Sequence, residues 1–192
     1  MAKNIDTRAR IRDTFLELYS KKSLENIRVT DICEALDISR GTFYYHYADV
    51  IAICEEIEDY VIKAMEDDLE NTMIMSFKNQ TDPSNVEPFI DAYSKSLEKY
   101  VAKQPIFYCL MNGSRGKQFV NKWIASVRRK NEINFNYINL KEDSQEWMGT
   151  FLAAGLVKML NKWIDHGCKE DPRPIAETFA RILFKGSIVY HK

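Results

Sequence analysis

The chain has few residues of the kinds that do covalent or metal chemistry. Its 192 residues contain three histidines, His46, His166 and His191, and four scattered cysteines, Cys33, Cys54, Cys109 and Cys168, with no C-x-x-C pair. Metal centres draw His and Cys ligands from close, characteristic spacings, so no metal site and no cofactor is expected. A Gly-rich phosphate loop and a G-x-S-x-G elbow are also missing. No catalytic residue can be nominated, which argues against an enzyme. No run of about 18 apolar residues is present, and the opening MAKNIDTRARIRD lacks the apolar core of a secretory signal. A cytoplasmic protein without membrane association is expected, its thiols reduced and packed as small hydrophobes. A redox-sensing thiol would need exposure and a lowered pKa.

Charge of either sign is not in excess, the formal net charge being −1. Its placement matters more. Residues 1–30 carry seven cations against four carboxylates, whereas residues 55–70 carry eight carboxylates against Lys63 alone. The first stretch can face phosphate, and the second would repel it and reads as a solvated helix face. With 45% hydrophobic and 12% aromatic residues, the chain is globular and long enough for one large domain or two modest ones.

Apolar residues recur at three- and four-residue spacing almost throughout, and no segment reads as a strand. Ile11, Phe15, Leu18 and Tyr19 predict a first helix over about 6–22. A second is expected at Val29–Leu36, with Ile32, Ala35 and Leu36 on its buried side. Asp37-Ile38 then turns the chain and Ser39 can cap a third helix. Asp49 can cap a long fourth helix, about Val50–Met75, whose apolar stripe includes Ile53, Ile57, Tyr60, Val61, Ala64, Met65 and Leu69. TDPSNVEP interrupts the chain. Later helices are expected at about Pro88–Lys103, from Gln104-Pro105, and at about Arg115–Asn136 with many cations. A further pair would run over Ser144–His166, ended by Gly167, and onward from Asp171-Pro172. The fold class is all-α, with about nine helices.

The segment RVTDICEALDISRGTFYYHY, Arg28–Tyr47, has the outline of a helix-turn-helix whose second helix enters the DNA major groove. Gly41 and Thr42 are small enough for close approach, and the Thr42 methyl suits thymine. The Arg40 fork matches guanine or phosphate. Tyr44, Tyr45 and His46 carry polar tips on rigid rings, of the kind that hold phosphate oxygens. The N-termini of the third and fourth helices add N–H donors for anions. Phe43, Tyr47 and Ile38 are better explained as core.

These residues, about Asp6–Asp59, resemble the DNA-binding domain of TetR/AcrR-type transcriptional regulators. The likeness rests on Val29-x-x-Ile32-Cys33, then Leu36–Tyr47, then the Asp49 cap. It implies a helix-turn-helix domain over 1–48 and a helical effector-binding and dimerisation domain over 49–192. It also implies DNA contacts from Arg40, Gly41, Thr42, Tyr44 and His46, to which Arg28, Thr30, Ser39 and Tyr45 are added as candidate contacts from the segment itself. The body match is looser, carried by Phe151-x-x-x-Gly155-Leu156, Trp163-Ile164-x-x-Gly167 and Pro172. Two positions depart from the pattern. Arg28 stands where a Ser or Thr cap is usual, and Val50 stands where many members have a phosphate-binding Lys. The second departure predicts weaker anchoring, with a salt slope shallower by about 0.9.

A single head makes few base contacts, so a homodimer on a palindromic operator is expected. The stripe Trp147, Phe151, Gly155, Met159 and Trp163, joined by Phe179 and Ile182, is its expected interface. A small-molecule effector is expected among aromatic and Met side chains of the body, with Tyr93, Phe107, Met111, Trp123, Trp147 and Phe151 as candidate contacts. The partners are therefore double-stranded DNA, a second copy and an unidentified effector, and the expected action is repression. The competing expectation is an adaptor or co-activator that kept the helix-turn-helix but acts through protein contacts.

Overall fold

The computed structural model describes residues 2–77, 85–101, 103–134 and 142–185. Its α-helices are α1 Ala2–Tyr19, α2 Val29–Leu36, α3 Arg40–His46, α4 Val50–Phe77 and α5 Glu87–Val101. They continue as α6 Gln104–Asn112, α7 Gly116–Asn134, α8 Glu142–Asp165 and α9 Pro172–Ala180, the last running on into a π-helical turn, Arg181–Lys185. No strand occurs among the described residues, and the fold is all-α. Phe135, the first half of TDPSNVEP, the end of the cationic helix and His191 lie outside those residues. None of the described helices is long and apolar enough to cross a membrane.

The chain forms two compact units, Met1–Val61 with Pro105–Phe119, and Ile62–Gln104 with Val120–Lys192. They differ in extent from the 1–48 and 49–192 division suggested by the motif, because the start of α4 to Val61 and the stretch Pro105–Phe119 cluster with the N-terminal helices.

In the first unit Ile11, Phe15, Ile32, Phe43 and Ile53 are fully buried. Each such side chain contributes roughly 1.5–3 kcal/mol relative to exposure. On α2 the buried residues are Ile32 and Cys33, with Leu36 half-covered and Ala35 exposed. Ala35 lies off the strip traced by Val29, Ile32, Cys33 and Leu36, so the expectation for it fails on helical phase. Tyr60 fails likewise: it is 65% exposed, while Ile57 is covered. Glu56 ties the unit together, accepting from Arg8 at 2.5 Å and from the Tyr47 hydroxyl at 3.2 Å, with Arg12 at 3.6 Å. The Tyr19 hydroxyl donates to the Cys109 carbonyl at 3.0 Å and so fastens α6 to α1.

In the second unit α5 pairs with α9 through stacked and tilted rings. Phe89 lies 5.5 Å from Tyr93, 5.9 Å from Phe179 and 5.2 Å from Phe184. Asp171 caps α9 by accepting from the Arg173 amide at 2.8 Å, with Pro172 in the first turn where its missing N–H costs nothing. The end of α8 is closed by Gly167 at φ +77, and the Cys168 amide reaches back to the Trp163 carbonyl at 3.0 Å. This is the left-handed termination that glycine permits.

Candidate nucleic-acid interface

The two helices α2 and α3 are joined by a turn whose geometry follows from three residues. Asp37 adopts φ 51, ψ 52, and the Ile38 amide donates to the Cys33 carbonyl at 3.0 Å. Ser39 Oγ accepts from the Thr42 amide at 3.0 Å and lies 2.9 Å from Thr42 Oγ1, which caps α3. The start of α2 is closed differently. A guanidinium has no acceptor, so Arg28 caps nothing with its side chain; its amide donates to the Asp31 carboxylate at 2.9 Å. Lys22 holds the same carboxylate at 2.5 Å, and this bond, with the Arg28 amide, sets the Asp31 pKa below the ordinary aspartate value.

Phe43 at 0% and Tyr47 at 4% exposure anchor α3 from beneath. Arg28, Ser39, Arg40, Gly41, Tyr44 and Tyr45 are exposed, while Thr30, Thr42 and His46 are half-covered. The His46 ring meets Tyr45 edge-on, with centroids 5.0 Å apart. A methyl built on Gly41 would find only Ser39 Oγ, at 3.6 Å, so the fold leaves space there. Asp49 caps α4 by accepting from the Ala52 amide at 2.8 Å, which takes up one of the donors expected for anions. Val50, which stands where many members have a phosphate-binding Lys, is only 9% exposed. Packing therefore accounts for an apolar residue at this site.

Charge near this face is partly neutralised inside the unit. Arg8 and Arg12 pair with Glu56, Lys21 with Glu17 and Lys22 with Asp31. Arg10, Arg28 and Arg40 are exposed and stand outside those pairs. The acidic stretch is also more than a solvated face. Glu58 is 1% exposed and accepts from Arg115 Nε at 3.0 Å, while Arg115 also reaches Glu55 at 2.9 Å. The Glu58 carboxylate raises the Arg115 pKa further, against the opposing effect of burial. Arg115 precedes α7 rather than lying on it. No sequence period signalled this pair, since its partners are remote in the chain.

The candidate effector residues are divided between the two units. Tyr93 and Trp123 line a cavity of about 20 Å³ in the second unit. Phe107 and Met111 are buried in the first unit. Trp147 and Phe151 are 78% and 65% exposed, so neither is enclosed as a pocket wall would be. Of the candidate dimer residues, Trp147, Phe151, Gly155 and Ile182 are exposed and Met159 is half-covered. Trp163 and Phe179 are buried within the chain, Trp163 donating to the Glu170 carbonyl at 3.0 Å. They cannot also serve as open interface. The four thiols are free, three are buried, and burial raises each pKa, Cys54 to about 12. That opposes a redox-sensing thiol.

Residues 87–185 match the TetR-type family model described as "Transcriptional regulator C-terminal region". An HTH-type transcriptional regulator of Staphylococcus aureus is 29% identical over 117 residues, 60% of this chain and 59% of that protein. The chain thus spans under three fifths of that relative's length. Among solved structures, native NalD of Pseudomonas aeruginosa, the secondary repressor of the MexAB-OprM multidrug efflux pump, aligns with TM-score 0.68 at 17% identity, covering 95% of this chain and 97% of that one. The dihydroxyacetone kinase operon activator DhaS aligns with TM-score 0.63 at 13% identity, covering 98% and 99%. At such identities the likeness is one of fold. Because the family match takes in more than half of its residues, the chain belongs to the TetR-type transcriptional regulators, a family of regulators and not of enzymes.

Proposed function

We propose that the protein is a sequence-specific DNA-binding repressor that holds a palindromic operator as a homodimer and is released by a small-molecule effector. The observation that carries this reading is the exposed row Arg28, Ser39–Gly41, Tyr44 and Tyr45, with Thr42 half-covered beside it, mounted on a buried Phe43. The Arg40 fork and the Thr42 methyl are suited to base edges, and Arg28, Tyr44, Tyr45 and His46 to phosphate oxygens. Repression needs only occupancy of the operator, whereas activation needs an added contact to the transcription machinery. The cytoplasm is the location consistent with such a role.

A homodimer is supported by α8, where Trp147 and Phe151 are open and a methyl on Gly155 would meet nothing within 4 Å. A second helix can approach there, and large exposed apolar residues in register mark interaction surfaces. Size-exclusion with light scattering tests this directly. Twice the chain mass is expected, and a monomer at micromolar concentration contradicts it.

One observation favours the adaptor reading: four cations of α1 and the turn after it already have carboxylate partners. Retention on random-sequence duplex DNA at low salt separates the two. Retention that drops on Arg40→Ala supports the regulator, and no retention supports the adaptor.

A further inference from the structure

We propose that the cavity between α4, α5, α7 and α8 in the second unit receives an organic monocation, with Asp68 as counter-charge and Tyr93, Tyr100 and Trp123 as aromatic wall. This assigns a ligand class to the effector site and rests on the effector reading above.

Three observations carry it. Among the described residues lining the cavity Asp68 is the sole charged one, the others being apolar, aromatic or hydroxyl-bearing. An anionic ligand would meet a like charge there, and a cation would meet an opposite one beside largely apolar and aromatic walls, the Asp68 side chain being 28% exposed. Second, Tyr93 is only 4% exposed and lines the cavity, yet its hydroxyl makes no hydrogen bond among the described residues. A ligand entering the cavity can take that hydroxyl as a hydrogen-bond partner.

Third, the Asp68 carboxylate is already oriented. The Tyr100 hydroxyl donates to it at 2.6 Å, and Lys99 Nζ reaches its other oxygen at 3.1 Å. Burial and Asp68 together raise the Tyr100 pKa, which keeps that hydroxyl a donor. Lys99 is 60% exposed, and such a pair is weak enough for another cation to displace it. Three aromatic rings add attraction for a cation over their faces. At about 20 Å³ the cavity holds no more than a water, so the ligand must widen it. Met65 on the lining can yield most easily, having an unbranched side chain.

The test uses the full chain and two ions of similar size and opposite charge, 2-phenylethylammonium and 3-phenylpropionate, titrated by calorimetry. The ammonium ion is expected to bind once per chain, and the carboxylate is not. Asp68→Asn should weaken the ammonium ion about tenfold or more, while Lys99→Gln should tighten it by removing the competing cation. The Lys99→Gln arm stands even if Asp68→Asn fails to fold. Equal or preferential binding of 3-phenylpropionate overturns the charge assignment and leaves the effector cavity in place. Ammonium binding indifferent to both substitutions overturns the assignment to Asp68. Failure of both ions to bind overturns the cavity as an effector site along with its ligand class.

Discussion

Glu58 of α4 is 1% exposed and is met at 3.0 Å by Nε of Arg115, from the turn between α6 and α7. The two residues are 57 positions apart, yet one buried ion pair holds α6 to the helices of the head. Gly116, next in sequence, allows this turn: a methyl there would collide with the Met111 carbonyl. Removing one partner of a buried pair leaves an uncompensated charge, which typically costs about 3–5 kcal/mol. Arg115→Met should therefore lower the stability of the protein by that order in urea unfolding. The double variant Glu58→Met, Arg115→Met should recover most of the loss. If the double variant is as unstable as the single one, the pair is not what holds the turn.

At Asp37 the chain pauses in a left-handed conformation, φ 51, which glycine adopts without the steric penalty of a Cβ. Asp37→Gly should raise stability by about 0.5–1 kcal/mol, seen as a higher Tm. An unchanged or lowered Tm would mean that the Asp37 side chain supplies a contact of equal worth.

Gly41 separates folding from recognition. It lies in the first turn of α3, with room around it, so Gly41→Ala should stabilise the helix by roughly 0.5–1 kcal/mol. The added methyl stands where DNA has to come close, and binding should weaken. A rise in Tm together with a fall in DNA affinity is the expected signature. Unchanged affinity would remove Gly41 from the interface.

Most of the head was legible from spacing and capping chemistry. The boundaries Val29–Leu36, the Ser39 cap and the Asp49 cap follow from local rules that depend on neighbours a few residues away. What could not be read was long-range. Whether Glu58 is solvated depends on Arg115, and whether Val50 is open depends on packing by the head. Trp163 and Phe179 follow the same logic: periodicity marks them as apolar-facing but cannot say whether the covering surface belongs to this chain or another.

The acid limb of stability should carry a contribution from Asp31. Its pKa is lowered, first by Lys22 and then by the Arg28 amide. A depressed carboxylate stabilises the fold above its unfolded pKa and loses that effect as pH falls through the folded value. The contribution is thus present at neutral pH and fades below about pH 4, the ordinary Asp range. It is modest, since the Lys22 and Asp31 side chains are 33% and 30% exposed. Asp31→Asn should flatten that part of the curve of Tm against pH, and an unchanged acid limb would exclude the pair as a contributor.

Thiol chemistry should follow burial. Cys109 is the least covered of the four cysteines and Cys54 has its pKa pushed up to about 12. Iodoacetamide at pH 8 should label Cys109 first and reach Cys54 only on unfolding. Rapid native-state labelling of Cys54 would contradict the packing described for α4.

Selection of bound duplexes from a randomised DNA pool by the full chain bears most directly on the proposed role. Enrichment of a palindrome is predicted, its half-sites centred one helical turn or more apart, about 10 base pairs. The same selection with Gly41→Ala should lose that enrichment. Absence of any enriched sequence at low salt, with a folded and dimeric protein, would contradict the assignment of this helix-turn-helix to DNA.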